Sequence, residues 1–319
     1  MALDLVLRAA GLTDVGKRRP SNEDVVLVRP ELDLYLVCDG AGGHRSGEVA
    51  SALAARSLSN YFGATIRRTH ELPEFDRFGI PGGARRLSAA ILKANKDVME
   101  IAKSTPEHKG MGTTVVAACF SPRSGLMHVG HVGDSRCYRM RGGHLELLTQ
   151  DHSLLTDVLE QRPELDDTVL ERMPKNIVTR ALGIDAKLRV AMRSYAVVAG
   201  DRYLLCSDGL SGMLSAQELA PLLGARAEPE AIVQNLIDRA NAAGGRDNIG
   251  AVVIECTQGP DADSVPPPPP GVLAMVRDAE ARSDPELLIL GIEELESLDA
   301  DSASDDLLHA LETLLGKRS

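Results

Sequence analysis

The hydrophobic pattern of this chain alternates short runs rich in Val, Leu and Ile with longer segments of helical period. Residues 5–12, 24–29 and 34–38 are predicted strands, the last running into Asp39-Gly40. From residue 46 to 62 the apolar positions Val49, Leu53, Ala54, Leu58 and Tyr61 follow helical spacing, with Ser46 placed to cap the helix. A second helix is predicted after Pro81. It would bury Leu87, Ile91, Ala94, Val98 and Ile101 on one stripe and leave Arg85, Lys93, Lys96 and Asp97 in water. Residues 113–120, 126–132, 136–140 and 145–148 then read as short strands joined by tight turns such as Arg141-Gly142-Gly143, which predicts an antiparallel meander.

Residues 152–185 show no long period of either kind, carry several charges and contain Pro163 and Pro174, so they read as a mobile surface excursion. Strands resume at 188–198 and 201–206, helices follow near 215–223 and 229–242, and a last strand spans 249–256. Two sheets covered by helices fit this order. After Cys256 the composition shifts to Gly, Pro, Asp and Ser, and five consecutive prolines, Pro266 to Pro270, predict an extended linker over 257–276. Residues 277–319 then place apolar residues at roughly helical spacing among many carboxylates, either as weakly ordered acidic helices or as a segment that docks a partner.

Charge sharpens this division. Of the net −11, residues 257–319 carry −10, from 14 acidic and 4 basic side chains, which leaves residues 1–256 at −1. A nearly neutral body lacks the basic footprint of a nucleic-acid binder. The five cysteines are odd in number, widely spaced and set in apolar segments, as expected of buried thiols in a reducing compartment. The first ten residues lack the pattern of a secretory signal, and no segment reaches the roughly 18 uninterrupted apolar residues that span a bilayer. The expectation is a cytoplasmic protein with no membrane contact, long enough to be an enzyme.

Four acidic motifs recur in fixed order: Arg19 with Asn22-Glu23-Asp24, then Asp39-Gly40, then Ser207-Asp208-Gly209, then Arg246-Asp247-Asn248. Each carboxylate sits where an apolar run gives way to glycine or another turn residue, so strand ends would deliver oxygen ligands to one shared edge. A carboxylate set with few histidines and no paired cysteines selects Mg2+ or Mn2+ over Zn2+. Two such ions about 4 Å apart can share a water, lower its pKa and aim it at phosphorus. Arg19 is suited to grip the phosphoryl oxygens bidentately. Metal-assisted phosphate chemistry is the function these residues predict.

The full series is longer. It runs Asp14-Val15-Gly16-Lys17-Arg18-Arg19-Pro20-Ser21-Asn22-Glu23-Asp24, Cys38-Asp39-Gly40-Ala41-Gly42-Gly43-His44, Gly110-Met111-Gly112-Thr113-Thr114, Val132-Gly133-Asp134-Ser135-Arg136 and Asp151-His152-Ser153, followed by the two later acidic motifs. This series resembles the metal-dependent, type 2C family of serine/threonine protein phosphatases, above all its compact bacterial members, over residues 5–256.

The resemblance implies an α+β fold, an α-β-β-α sandwich of two antiparallel sheets flanked by helices, forming a phosphatase domain over 1–256. It also implies hydrolysis of phosphoserine and phosphothreonine in proteins by a metal-activated bridging water at a binuclear Mn2+ or Mg2+ centre, without a phosphoenzyme. By the same resemblance Asp39 bridges the two ions, the Gly40 carbonyl binds one, and Asp208 and Asp247 bind the other. Glu23 and Asp24 hold coordinated waters, Arg19 binds phosphate, and Asp134 with Asp208 matches the position of a third ion in bacterial relatives. The implied partners are phosphorylated proteins, with a serine/threonine kinase and its substrates behind them.

The chain also departs from the pattern. Ala41 stands where many eukaryotic members have a histidine as candidate general acid, so leaving-group protonation is unassigned; His44 and His152 read as structural histidines. Gly250 replaces a threonine that the family often places after Asp-Asn-Ile. Two alternatives stay open: a phosphatase of one phosphorylated regulatory factor, with residues 152–185 choosing the substrate, and a catalytically vestigial module that binds a partner through the acidic tail.

Overall fold

The computed structural model describes residues 5–258, apart from 43–45, 70–73, 77–78, 123, 167–168, 170–172 and 175–176. His44, nearly all of the expected linker and the whole acidic tail lie outside the described residues. In chain order the strands are β1 (Leu5–Asp14), β2 (Asp24–Arg29), β3 (Leu34–Ala41), β4 (Gly112–Thr113), β5 (Val115–Ser121), β6 (Leu126–Val132), β7 (Arg136–Arg141), β8 (His144–Leu147), β9 (Ala191–Ala196), β10 (Arg202–Cys206) and β11 (Ile249–Gln258). The helices are α1 (Ser46–Thr69), α2 (Gly82–Ser104), α3 (Leu154–Gln161), α4 (Asp208–Ser211), α5 (Ala216–Leu223) and α6 (Pro229–Ala242).

Two antiparallel sheets result, one ordered β1-β11-β10-β7-β8 and the other β2-β3-β5-β6-β9, with β4 pairing the end of β3. The central strands are apolar on both faces, so alternate residues enter different layers. Leu34, Leu36, Cys38, Val115 and Ala117 pack against α1 and α2 through Leu53, Leu58, Leu87 and Ile91. Tyr35, Val37, Val116 and Ala118 point the other way and meet Tyr203, Leu205, Val252 and Ile254 between the sheets. Beyond the first sheet, Leu204, Ala251 and Val253 pack on Leu219, Leu223, Leu236 and Ile237 of α5 and α6. This is the expected α-β-β-α sandwich of two antiparallel sheets. All five cysteines are buried and free, and no described helix is long and apolar enough to cross a membrane.

The expected meander over 113–148 is not one meander. The hairpin β5–β6 belongs to the second sheet and the hairpin β7–β8 to the first. The chain changes sheets at Gly133-Asp134-Ser135, where Gly133 takes a φ of +108°. Local turn chemistry predicts each hairpin but carries no information on which sheet receives it. Residues 152–185 also hold more structure than an irregular excursion. Ser153 caps α3 by accepting a hydrogen bond from the Thr156 amide, and eight residues are too few to show a helical period in sequence. Leu182 bridges to Thr113, and Asn95 of α2 binds both Gly183 and Asp185. Helix α1 runs on to Thr69, past the expected end at residue 62.

Candidate metal centre

Strand register creates the site. Antiparallel pairing sets Asp24, at the start of β2, opposite Asp39 near the end of β3. In the other sheet β10 ends at Cys206, after which Ser207 leads into α4 with Asp208 as its first residue. Ser207 ties the two sheets together: its hydroxyl donates to Asp24 Oδ2 over 2.7 Å and accepts from the Gly250 amide over 2.9 Å, while its own amide donates to the Gly250 carbonyl. Asp39 thereby comes within hydrogen-bonding reach of both Asp24 and Asp208. Asp134, from the loop where the chain changes sheets, adds its charge to the same cluster.

Burial and mutual repulsion disfavour ionisation here. The Asp39 carboxyl lies well above the ordinary carboxylate value, first because it is desolvated and then because Asp24, Asp208 and Asp134 face it. Asp24 and Asp208 are raised as well, each mainly by desolvation, and Asp134 is pushed up to about 6 by desolvation and by Asp208. Asp24 Oδ1 and Asp208 Oδ1 are buried without a hydrogen-bond partner.

Among the described residues no group of three His, Cys, Asp or Glu side chains already encloses one ion-sized point. The carboxylates lean on each other instead. Their chemistry nevertheless fits a hard divalent cation: every donor is an oxygen, two buried oxygens are orphaned, and a cation would offset the desolvation and repulsion that hold the group above its ordinary range.

Arg19 and Asp247 occupy the mouth of this cluster. The Arg19 guanidinium donates to Asp247 Oδ2 over 2.7 Å, and both side chains are substantially exposed. The expected phosphate grip and an expected ion ligand are thus paired with one another. Glu23 is placed behind them, its carboxylate against Gly47 in the first turn of α1 and its carbonyl accepting from the Gly40 amide. Gly40 and Gly47 approach so closely that a methyl group on either would strike the other's backbone, and one on Gly47 would also strike the Glu23 carboxylate. Helix α1 can therefore begin at the site only with glycine there. Ala41 is exposed and offers no titratable group.

Several positioning residues stand outside the expected set. Thr113 Oγ1 and the Thr114 amide both donate to the Asp39 carbonyl, at 2.8 and 2.9 Å, and Thr114 Oγ1 accepts from the Asp39 amide. Thr114 Oγ1 also lies 2.8 Å from Ser135 Oγ, beside Asp134. Asn248 accepts from the Glu23 amide and donates to the Val15 and Ser21 carbonyls, which staples the loop before β2 to the loop before β11. The Thr-Thr and Asp-Asn pairs marked the right positions in sequence, yet partners up to 233 residues away were not visible there. His152 Nδ1 accepts from the Gly133 amide, and its ring stacks on His131 at 4.7 Å. Burial lowers both imidazoles, His152 to about 3.

Comparison with known proteins bears on this arrangement. The family profile described as Protein phosphatase 2C matches residues 20–241. Serine/threonine phosphatase stp of Listeria innocua is 33% identical over 248 residues, which are 76% of this chain and 93% of that protein. The catalytic domain of serine/threonine protein phosphatase PstP, solved in complex with two manganese ions, superposes with a TM-score of 0.66 at 31% identity, over 79% of this chain and 99% of that one. Stp1 from Staphylococcus aureus superposes with a TM-score of 0.68 at 27% identity, over 80% of this chain and 97% of its own.

Proposed function

The chain belongs to the metal-dependent protein phosphatase 2C family and is a serine/threonine phosphatase, and from that premise we propose that it hydrolyses phosphoserine and phosphothreonine in proteins by direct attack of a water at a centre of two Mn2+ or Mg2+ ions. The observation that carries this reading is the convergence of Asp24, Asp39, Asp134 and Asp208 at one sandwich edge, with Arg19 and Asp247 2.7 Å apart at its mouth.

Asp39 would bridge the two ions, with the Gly40 carbonyl on one and Asp208 and Asp247 on the other. Glu23 and Asp24 would hold coordinated waters, and Asp134 with Asp208 would hold a third ion. When bound, the ions lower the pKa of the attacking water and offset phosphoryl charge. Arg19 binds and orients the phosphoryl group, giving up its bond to Asp247 for two charge-assisted bonds to phosphate oxygens. Thr113 and Thr114 hold the backbone of Asp39, and Ser207 holds Asp24. Ser207 bonds Asp24 and Gly250, and Ser135 pairs with Thr114, so both hydroxyls serve to position the site.

The substrates are phosphorylated proteins of a serine/threonine kinase system, and residues 1–256 form the catalytic domain, followed by a linker and an acidic tail. The presence of Arg19, Asp39, Asp208 and Asp247 together argues against a vestigial binding module. The test is release of phosphate from an aryl phosphate and from a phosphothreonine peptide with Mn2+, with and without chelator, in the wild type and in Asp39→Asn. Chelator-sensitive turnover that Asp39→Asn abolishes is expected; a wild type without metal-dependent turnover would overturn the proposal.

A further inference from the structure

Two loops flank Arg19 and Asp247, and they form one rim. The Lys17 amide donates to the Gly245 carbonyl over 2.7 Å, and Asn248 Nδ2 reaches the Val15 and Ser21 carbonyls. Gly16, at a φ of +75°, packs directly against the backbone of Asp247. The Lys17 side chain runs beside Gly245, and the Arg246 side chain beside Gly244. Lys17, Arg18, Arg19 and Arg246 are all exposed along this rim.

The rim's own carboxylates are already used. Asp14 Oδ1 accepts from the Gly16 amide and from Asn241, and Asp247 accepts from Arg19 and from the Asn248 amide. Lys17, Arg18 and Arg246 form no ion pair among the described residues. Three cations without an ion pair therefore stand on the two loops that carry Arg19 and Asp247, on a domain whose net charge is close to zero.

We propose that Lys17, Arg18 and Arg246 form a substrate-selecting rim that favours phosphoserine and phosphothreonine flanked by aspartate or glutamate. This deepens the phosphatase reading and rests on it. A carboxylate beside the phosphoresidue meets the rim while the phosphate occupies Arg19, so the effect falls on substrate capture rather than on the chemical step. Exposed charge pairs are individually weak and screened by salt, and three of them acting together correspond to a preference of roughly tenfold.

The experiment compares two phosphothreonine peptides, one with aspartates on both sides and one with asparagines at those positions, using the full chain with Mn2+. Wild type is expected to prefer the acidic peptide about tenfold in kcat/KM, mostly through KM, and to lose the preference at high salt. Lys17→Gln/Arg18→Gln/Arg246→Gln is expected to treat the peptides alike and to keep wild-type turnover of an aryl phosphate, which carries no carboxylate for the rim to bind. A preference that survives the triple substitution, or is absent in wild type, overturns the rim. Fluorescence anisotropy of the same labelled peptides on the protein without metal reads the rim independently of turnover, and equal binding by wild type overturns it there too. A wild type inactive on the aryl phosphate with Mn2+ would instead overturn the phosphatase reading, leaving anisotropy to decide the rim.

Discussion

The Arg19 guanidinium donates to Asp247 Oδ2 across 2.7 Å, so the proposed phosphate grip and a proposed ion ligand hold each other at the mouth of the site. Asp247 also raises the Arg19 pKa, first through this hydrogen bond and then through its charge, which keeps the guanidinium cationic. In the proposed reading the pair links two functions: an ion held by Asp247 would free Arg19 for phosphate.

Replacing each partner separates those functions. Arg19→Ala is expected to lower kcat/KM for an aryl phosphate by roughly tenfold to a hundredfold, the effect of losing a hydrogen bond to a charged group worth about 1.5–3 kcal/mol. Its Mn2+ requirement should not rise, since Asp247 then has no guanidinium to give up. Asp247→Asn is expected to raise the Mn2+ concentration needed for half-maximal rate. Steady-state kinetics over a Mn2+ titration measures both, and a raised requirement in Arg19→Ala would contradict the assignment.

Thr114 joins Asp39 to the loop that carries Asp134, through its contacts to the Asp39 amide and Ser135 Oγ. Thr114→Val keeps the shape and removes the hydroxyl, leaving a buried partner unsatisfied at a cost of about 1–3 kcal/mol. Urea unfolding should register that loss, and a Mn2+ titration should show weaker activation. Thr114→Ser is expected to recover most of both, whereas a purely volumetric role would leave Thr114→Val the better substitute.

Asp39 supplies a pH prediction. Its carboxyl titrates well above the ordinary 3.8 in the folded protein, so without metal the folded state binds protons that the unfolded chain releases. Stability then falls as pH rises from about 4, at up to ~1.4 kcal/mol per pH unit for one such group. Asp39→Asn is expected to be more stable than wild type without metal, with a gain that is small near pH 4 and grows towards pH 8. Denaturant titration at several pH values in chelator gives this difference, and a gain independent of pH would show that the desolvated Asp39 charge is not its source.

His128 acts with the opposite sign. Its ring lies between Ser121 and Ser194 at 2.9 and 2.8 Å, and burial depresses its pKa from 6.5 to about 3. The folded protein refuses a proton that the unfolded chain accepts below 6.5, so this contribution is complete above that pH and is lost towards pH 3. His128→Gln should flatten the acid side of the stability profile by up to ~1.4 kcal/mol per pH unit. Unfolding at pH 7.5, 6 and 5 checks it, and an unchanged slope would refute the argument.

Asp134 should matter most where the leaving group is poor. A serine alkoxide needs a proton during bond cleavage and an aryl oxide hardly does. With Ala41 offering no titratable group beside Gly40, Asp134→Ala is expected to lower phosphopeptide turnover far more than aryl phosphate turnover at saturating Mn2+. Equal effects on the two substrates would remove Asp134 from that role.

Local chemistry was enough to read most of the elements in order and the carboxylates that the fold brings together. Turn residues follow Asp39 and Asp208 directly, and apolar runs of strand length precede them, so the ends of β3 and β10 are written in adjacent residues. Helix α3 escaped because eight residues hold too little of a period, and the split of 113–148 between two sheets escaped because a hairpin's residues do not encode its neighbours. Long-range packing alone brought Asp24 onto Ser207, 183 residues away, and set Arg19 against Asp247 across 228 residues. It also placed Lys17 and Arg246 on one rim, since the carbonyl that receives the Lys17 amide comes from the far end of the domain. Side-chain type fixes which ion and which anion a site prefers, but distance and desolvation set the strength of each interaction, and those exist only once the two sheets have closed on one another.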